Sequence, residues 1–158
     1  MAKRYYNFAV AASDEKHVAK AMGVGINASL KFCTEICAFI KGKPALKARQ
    51  FLIDVEEHKR FLPLKRYHKK VGHRKGDAVE GQKAGRYADK TMQNFSKVLD
   101  NALANADYKG LDDEKLVVQH AFASQAFGRM SFQNKGKIGG KARKKKTCHV
   151  EIVLRESR

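Results

Sequence analysis

From Gly128 to His149 the chain reads GRMSFQNKGKIGGKARKKKTCH, a stretch with eight lysines and arginines and no acidic residue. Strand-forming runs flank it. Leu116, Val118, His120 and Phe122 alternate with Val117, Gln119 and Ala121 before it, and Val150, Ile152 and Leu154 alternate with Glu151, Val153 and Arg155 after it. A segment of this charge cannot enter a core, and it is too long for a tight hairpin. The economical arrangement is a two-stranded ribbon, about residues 121–149, extended beyond the body, each arm reaching roughly 40 Å at ~3.3 Å per residue. Such a ribbon is marginal in water on its own. Basic side chains at this density match the phosphates of a polyanion, each neutralised phosphate releasing counterions. Gly136, Gly139 and Gly140 let the tip turn, and Phe132, Gln133 and Asn134 offer stacking and hydrogen bonding to unpaired bases. A lysine-rich loop that merely aids solubility is the bland alternative, and it leaves the flanking strands unexplained.

The whole chain carries the same bias. Its 158 residues are one domain's worth, and 33 Lys and Arg against 16 Asp and Glu give a formal charge of +17. A free domain meets that as self-repulsion, so a polyanionic partner is expected, nucleic acid before lipid. The basic stretches do not lie on aromatic-faced amphipathic helices, no run approaches the ~20 apolar residues of a membrane span, and the opening MAKRYYNFAVAASDEKHVAK lacks a secretory signal's apolar run. The expectation is a cytoplasmic protein with no membrane partner. It is read as a single domain over 1–158, including a basic insertion at 59–85.

Helical spacing marks the body. Leu30, Cys33, Ile36, Cys37 and Ile40 form a stripe that begins at Ser29 and stops at Gly42. Pro44, tolerated only in a helix's first turn, opens a second helix with Ala45, Ala48, Phe51, Leu52 and Val55, ending near His58. Asp89 is the candidate N-cap of the strongest helix, whose stripe of Met92, Phe95, Val98, Leu99, Ala102, Leu103 and Ala106 runs to Gly110. Ahead of these, VAKAMGVGIN reads as a possible edge strand broken by glycines.

Between Lys59 and Gly85 the periodicity disappears. Lys59 to Lys75 holds eight Lys or Arg and no acid, interleaved with Tyr67, His68 and His73. Structureless loops of this length are uncommon in compact domains, so this one is a functional extension or a segment ordered by its partner. Lys65, Arg66, Lys69, Lys70, His73, Arg74 and Lys75, with Arg86 and Tyr87, are the residues expected to hold it against nucleic acid. No catalytic constellation competes. Cys33 and Cys37 with Cys148 and His149 could in principle bind zinc, but they sit on an apolar stripe and read as buried thiols. GKIGGKARKKK lacks the spacing of a phosphate loop, and no histidine pairs with a carboxylate at a spacing that fixes both on one face. His120 reads as a packed residue. No metal or cofactor is expected.

Several segments resemble one family. INASLKFCTEICAFIKGKPALKARQFL is similar to the first two helices of the universal large-subunit ribosomal protein called L-twenty-two in bacteria and L-seventeen-e in eukaryotes. VLDNALANADYKGLD resembles its third helix, with Asn101, Ala102, Asn105, Ala106 and Gly110 in characteristic places. TCHVEIVLRE resembles its last strand, with Thr147 and His149 in register. FLPLKRYHKKVGH with AGRYADK is similar to the insertion of archaeal and eukaryotic members. The resemblance covers roughly 28–158.

It implies an α+β fold, three helices packed on a small antiparallel sheet with a long basic β-hairpin extension. It also implies a structural, non-enzymatic role in the large ribosomal subunit, with ribosomal RNA and neighbouring ribosomal proteins as partners and the hairpin beside the peptide exit tunnel. The stem residues Arg129, Lys141, Arg143, Lys144, Lys145 and Lys146 would then grip phosphates. Phe132, Gln133, Asn134, Lys135, Gly136, Lys137 and Ile138 would form a tip that meets the nascent peptide. The tip departs from the family's usual Pro-Arg-Ala-x-Gly-Arg-like run, and Ala88 stands where archaeal and eukaryotic members usually carry proline. The competing reading is an architectural DNA-binding protein with a basic β-ribbon; such proteins wedge a proline or apolar tip between base steps, and this ribbon has no proline.

Overall fold

The computed structural model describes residues 6–76, 78–133 and 140–157. Among them, three helices pack on one face of a three-stranded antiparallel sheet. Strand β1 (Val18–Ile26) and strand β4 (Leu116–Gln125) flank the central β7 (Cys148–Glu156), in the order β1-β7-β4. Helices α1 (Leu30–Ile40) and α3 (Asp89–Tyr108) lie against the sheet, and α2 (Ala45–Glu56) packs on α3. Two short strands, β2 (Leu62–Pro63) and β3 (Gly85–Arg86), pair across the insertion. A second ladder, β5 (Arg129–Gln133) with β6 (Lys141–Lys145), continues the β4–β7 pair outward. The architecture is α+β, as the spacing and the resemblance imply.

The stripes read from the sequence are the core. Ile36, Ile40, Leu52, Met92, Phe95 and Leu99 are fully enclosed and meet Leu116, Ile152 and Leu154 of the sheet. Burying side chains of this size is worth about 1.5–3 kcal/mol each relative to exposure. Gly42 and Gly110 end α1 and α3 in the left-handed conformation, at φ 80° and 71°, where a Cβ is penalised. The turn after α1 is tied to the sheet, because Gly42 N donates to Val118 O and Val118 N donates to Lys43 O.

Two expectations shift by one residue. Asp89 is the first residue of α3 rather than its N-cap, which is Ala88; the Asp89 carboxylate is drawn to His58, whose Nε2 lies 3.0 Å away. The carboxylate still faces the positive end of the helix dipole. In β4 the alternation breaks at a bulge, since Val118 pairs with Leu154 while His120 pairs with Val153, leaving Gln119 as an extra residue. Leu116 and Val118 point into the core as the pattern requires, but beyond the bulge it is Ala121 and Ala123 that are buried. Phe122 is pushed outward. His120 stacks on Phe8 on the opposite face, with ring centroids 5.0 Å apart. Burial, aided by the Lys41 charge, lowers its pKa.

That opposite face holds a buried acid. Glu151 is 3% exposed and accepts hydrogen bonds from both the backbone N and the side-chain Nδ2 of Asn7, each at 2.9 Å. The N-terminal segment is thereby fastened across the sheet. The outer edge of β1 is closed by α3: Asn105 Nδ2 donates to Lys20 O at 2.9 Å and Lys109 Nζ to Val18 O at 2.8 Å.

Candidate nucleic-acid interface

The insertion is folded by acids that lie outside its basic run. Glu35, on α1 and 4% exposed, accepts hydrogen bonds from the backbone N–H groups of Lys65, Arg66 and Tyr67 at 3.2, 2.8 and 2.7 Å. This one carboxylate holds the chain that follows β2, where Leu62 of the strand and its neighbours Phe61 and Leu64 are sunk into the core. Glu80 takes Lys43 at 2.6 Å and Lys65 at 2.7 Å. His73 bridges to Ala84, and Gly85 passes so close to Phe61 that a Cβ there would stand 2.2 Å from its ring. Of the two readings of this segment, a functional extension or one ordered by its partner, these ties favour the extension.

Within that scaffold the basic side chains divide into two groups. Arg74 donates to Gly85 O and lies over the Tyr87 ring, Arg86 donates to Gly85 O and reaches Gly72 O, and Tyr87 also tilts against His58. These side chains, with Lys65, brace the insertion. Arg66, Lys69, Lys70 and Lys75 are exposed and take part in no ion pair among the described residues, as does His73. They are the outward charge of this region.

The ribbon has no such internal acid. Its ladder sets Arg129 opposite Lys145, Met130 opposite Lys144, Ser131 opposite Arg143 and Phe132 opposite Ala142. Successive residues alternate between faces, so Arg129, Ser131, Arg143 and Lys145 share one face while Met130, Phe132, Ala142 and Lys144 share the other. Arg129, Arg143, Lys144, Lys145 and Lys146 are all exposed, and none forms an ion pair among the described residues. Like charges directly opposite on a ladder are destabilising. Phe127, Met130 and Phe132 are 81%, 57% and 67% exposed, large apolar side chains among cations. Lys141 lies at the far end of β6, opposite Gln133. The tip from Asn134 through Lys135, Gly136, Lys137 and Ile138 lies outside the described residues.

The cysteines lie apart from these surfaces. Cys33, Cys37 and Cys148 are buried free thiols, with Cys33 Sγ 3.2 Å from Cys148 Sγ. The Cys37 thiol is pushed up to about 12 chiefly by burial, and the hydrogen bond to Cys148 together with burial raises that of Cys33. Both stay protonated and unreactive at neutral pH. The described residues hold no cluster of three His, Cys, Asp or Glu placed to bind a metal ion, and none of their helices is long and apolar enough to cross a membrane.

A compact α+β body that projects an uncompensated basic ribbon, and whose buried acids are used to tie backbone, is built as a structural binding protein. The model of one family, described as Ribosomal protein L22p/L17e, matches residues 21–155. Curated relatives named Large ribosomal subunit protein uL22 align along most of the chain. The one from Archaeoglobus fulgidus is 49% identical over 119 residues, covering 75% of this chain and 76% of its own length. Those from Thermofilum pendens and Methanothrix thermoacetophila are 38% and 35% identical, each covering at least 90% of both chains. The chain belongs to the L22p/L17e family of ribosomal proteins, which are structural rather than enzymatic. Glu35, Glu80 and Phe127 were not among the residues singled out from the sequence. Glu35 was detectable: it shares a helical stripe with Phe32 and Phe39, where a carboxylate is out of place unless it binds something.

Proposed function

We propose that this protein is a constituent of the cytoplasmic large ribosomal subunit that binds and organises large-subunit ribosomal RNA, with neighbouring ribosomal proteins as its other contacts. The observation that carries the reading is the ribbon ladder, on which Arg129 faces Lys145 and no acid intervenes. Such a ladder is at odds with itself in water and is relieved by a polyanion. Arg66, Lys69, Lys70, His73 and Lys75 on the insertion extend the same field, while Lys65, Arg74, Arg86 and Tyr87 hold their platform and add charge to it. Replacing Arg66, Lys69, Lys70 and Lys75 by Gln should flatten the slope of log affinity for ribosomal RNA against log salt by roughly three units, at ~0.7 to 0.9 per phosphate contact. An unchanged slope would show that these side chains face solvent in the complex.

The two ends of the ribbon are assigned different work. Arg129, Lys141, Arg143, Lys144, Lys145 and Lys146 form the stem that grips phosphates, and residues 132–138 face the nascent peptide at the exit tunnel. The support for the tip is the family resemblance together with the length of the ribbon. On ribosomes carrying a 132–138 deletion, crosslinks from a stalled nascent chain to this protein should vanish while large-subunit yield persists. Failure of the subunit to assemble would make the tip an RNA anchor instead.

A further inference from the structure

At the foot of the ribbon, where β1 parts from β7, the ladder carries a second bulge. Gly23 pairs with Val150 and Ile26 with Cys148, so Val24 and Gly25 together stand opposite the single residue His149. Gly25 adopts φ 67° there, a left-handed position suited to glycine. The bulge pushes the strand away from the ribbon and opens a groove of about 540 Å³ between them. Val24 and Phe127 give it apolar walls, Arg129 and Lys145 line its ribbon side, and none of the described residues lining it is acidic.

We propose that this groove receives one unpaired RNA base, stacked on Phe127, with its flanking phosphates held by Arg129 and Lys145. The assignment rests on the RNA-binding reading above and narrows it to a particular contact. Several features favour a base over a bare phosphate. Phe127 presents its ring to solvent at 81% exposure while its backbone is held at its own carbonyl and at the residue before it: Thr147 Oγ1 donates to Phe127 O, and Ala126 N donates to Thr147 O at 3.0 Å. A rigidly placed, exposed aromatic beside cations is the platform on which unpaired bases stack. Polar edges are also present. His149 Nδ1 accepts the Gly25 N–H at 3.2 Å, which leaves the ring proton on Nε2 as a donor, and Asn27 supplies an amide at the rim. The groove's volume falls within the range of small-ligand sites. Duplex RNA, whose bases are stacked inside, cannot offer such a group without extruding it.

The test compares the full chain on two hairpin RNAs of the same length, one fully paired and one with a single bulged adenosine in the stem, each titrated at several salt concentrations. The intact protein should prefer the bulged RNA. Phe127→Ala should lower affinity for the bulged RNA by about tenfold, leave that for the paired RNA unchanged, and keep the salt slope, because the cations remain. Phe127→Tyr should restore the preference. If intact protein and Phe127→Ala bind both RNAs alike with the steep salt slope kept, the groove assignment falls and the RNA-binding reading stands. If neither RNA binds even at low salt, both fall together. A polyglutamate peptide bound with the same dependence on Phe127 would make the groove an acidic-peptide site and overturn the assignment to a base.

Discussion

The insertion and the ribbon have nearly the same composition and opposite ways of staying in place. Each carries eight or so cations with almost no acid of its own. The insertion borrows Glu35 from α1 and shares Glu80 between Lys43 and Lys65, and it sinks Phe61, Leu62 and Leu64 into the core. The ribbon, among the described residues, takes no ion pair from the body and sets Arg129 against Lys145. Charge density therefore does not decide how firmly a basic segment is tied to the body. Access to a buried carboxylate that can take backbone N–H groups does, because such a bond is charge-assisted and its loss leaves several donors unpaired at once.

The difference can be broken most severely at Glu35. Glu35→Ala should destabilise the protein by about 3 kcal/mol, since three backbone donors lose a charged acceptor, and urea unfolding would measure it. Amide exchange at Lys65, Arg66 and Tyr67 should rise with it, while β5 and β6 stay as they were. Gly85→Ala comes next. The added methyl meets Phe61 at 2.2 Å and the Leu62 carbonyl at 2.7 Å, so a loss of about 2 kcal/mol is expected from overpacking, visible as a lowered melting temperature with the ribbon again unaffected.

Acid provides a gentler probe. The hydrogen bonds from Lys43 and then Lys65 hold the Glu80 carboxyl below its ordinary range. A depressed carboxylate stabilises fully above its unfolded value, near 4.3, and that contribution is lost as pH falls through the lower folded value. With 38% of the Glu80 side chain open to water, screening keeps the effect below about 1 kcal/mol. Exchange in the insertion, corrected for intrinsic rates, should begin to rise below about pH 4 in the native protein, and the Glu80→Gln protein should lack that pH-dependent rise.

The smallest effect sharpens the comparison from the other side. Lys145→Glu gives the ribbon an acid opposite Arg129 and should stabilise the ladder by about 0.5 kcal/mol, read as slower exchange at Arg129 and Ser131. The same change should weaken RNA binding and flatten its salt slope by more than one phosphate contact's worth. A variant that gained order without losing affinity would show that the stem does not touch phosphate.

How far the sequence discloses all this depends on whether the deciding contact is local. The three helices are legible because their stripes and their glycine stops lie within a few residues of each other. The edge strand was visible at its observed place, from Val18. The phase of β4 beyond Val118 was not, because the bulge at Gln119 contains no glycine or proline and is set by pairing with a strand about 35 residues away. The fold of the insertion was hidden for the same reason: its organising carboxylate lies 30 residues upstream of Lys65. Of the site, the cations could be read directly, but not which of them brace the platform and which face outward. Phe127 was passed over because nothing in the residues around it marks a phenylalanine between two strands as facing solvent.

The bonds that Asn105 and Lys109 make to β1 have a consequence for the copy that has just been synthesised. A three-stranded sheet has two open borders, and each is a template on which another molecule's strand can zip. Here α3 occupies the carbonyls of Val18 and Lys20 on one border, while the turn of Gly42 and Lys43 takes both backbone groups of Val118 on the other. With those positions filled, chain-to-chain pairing finds little purchase on the body, and the repulsion along the ribbon discourages it there. Part of each border is thus closed to strand addition by the chain's own side chains and turn.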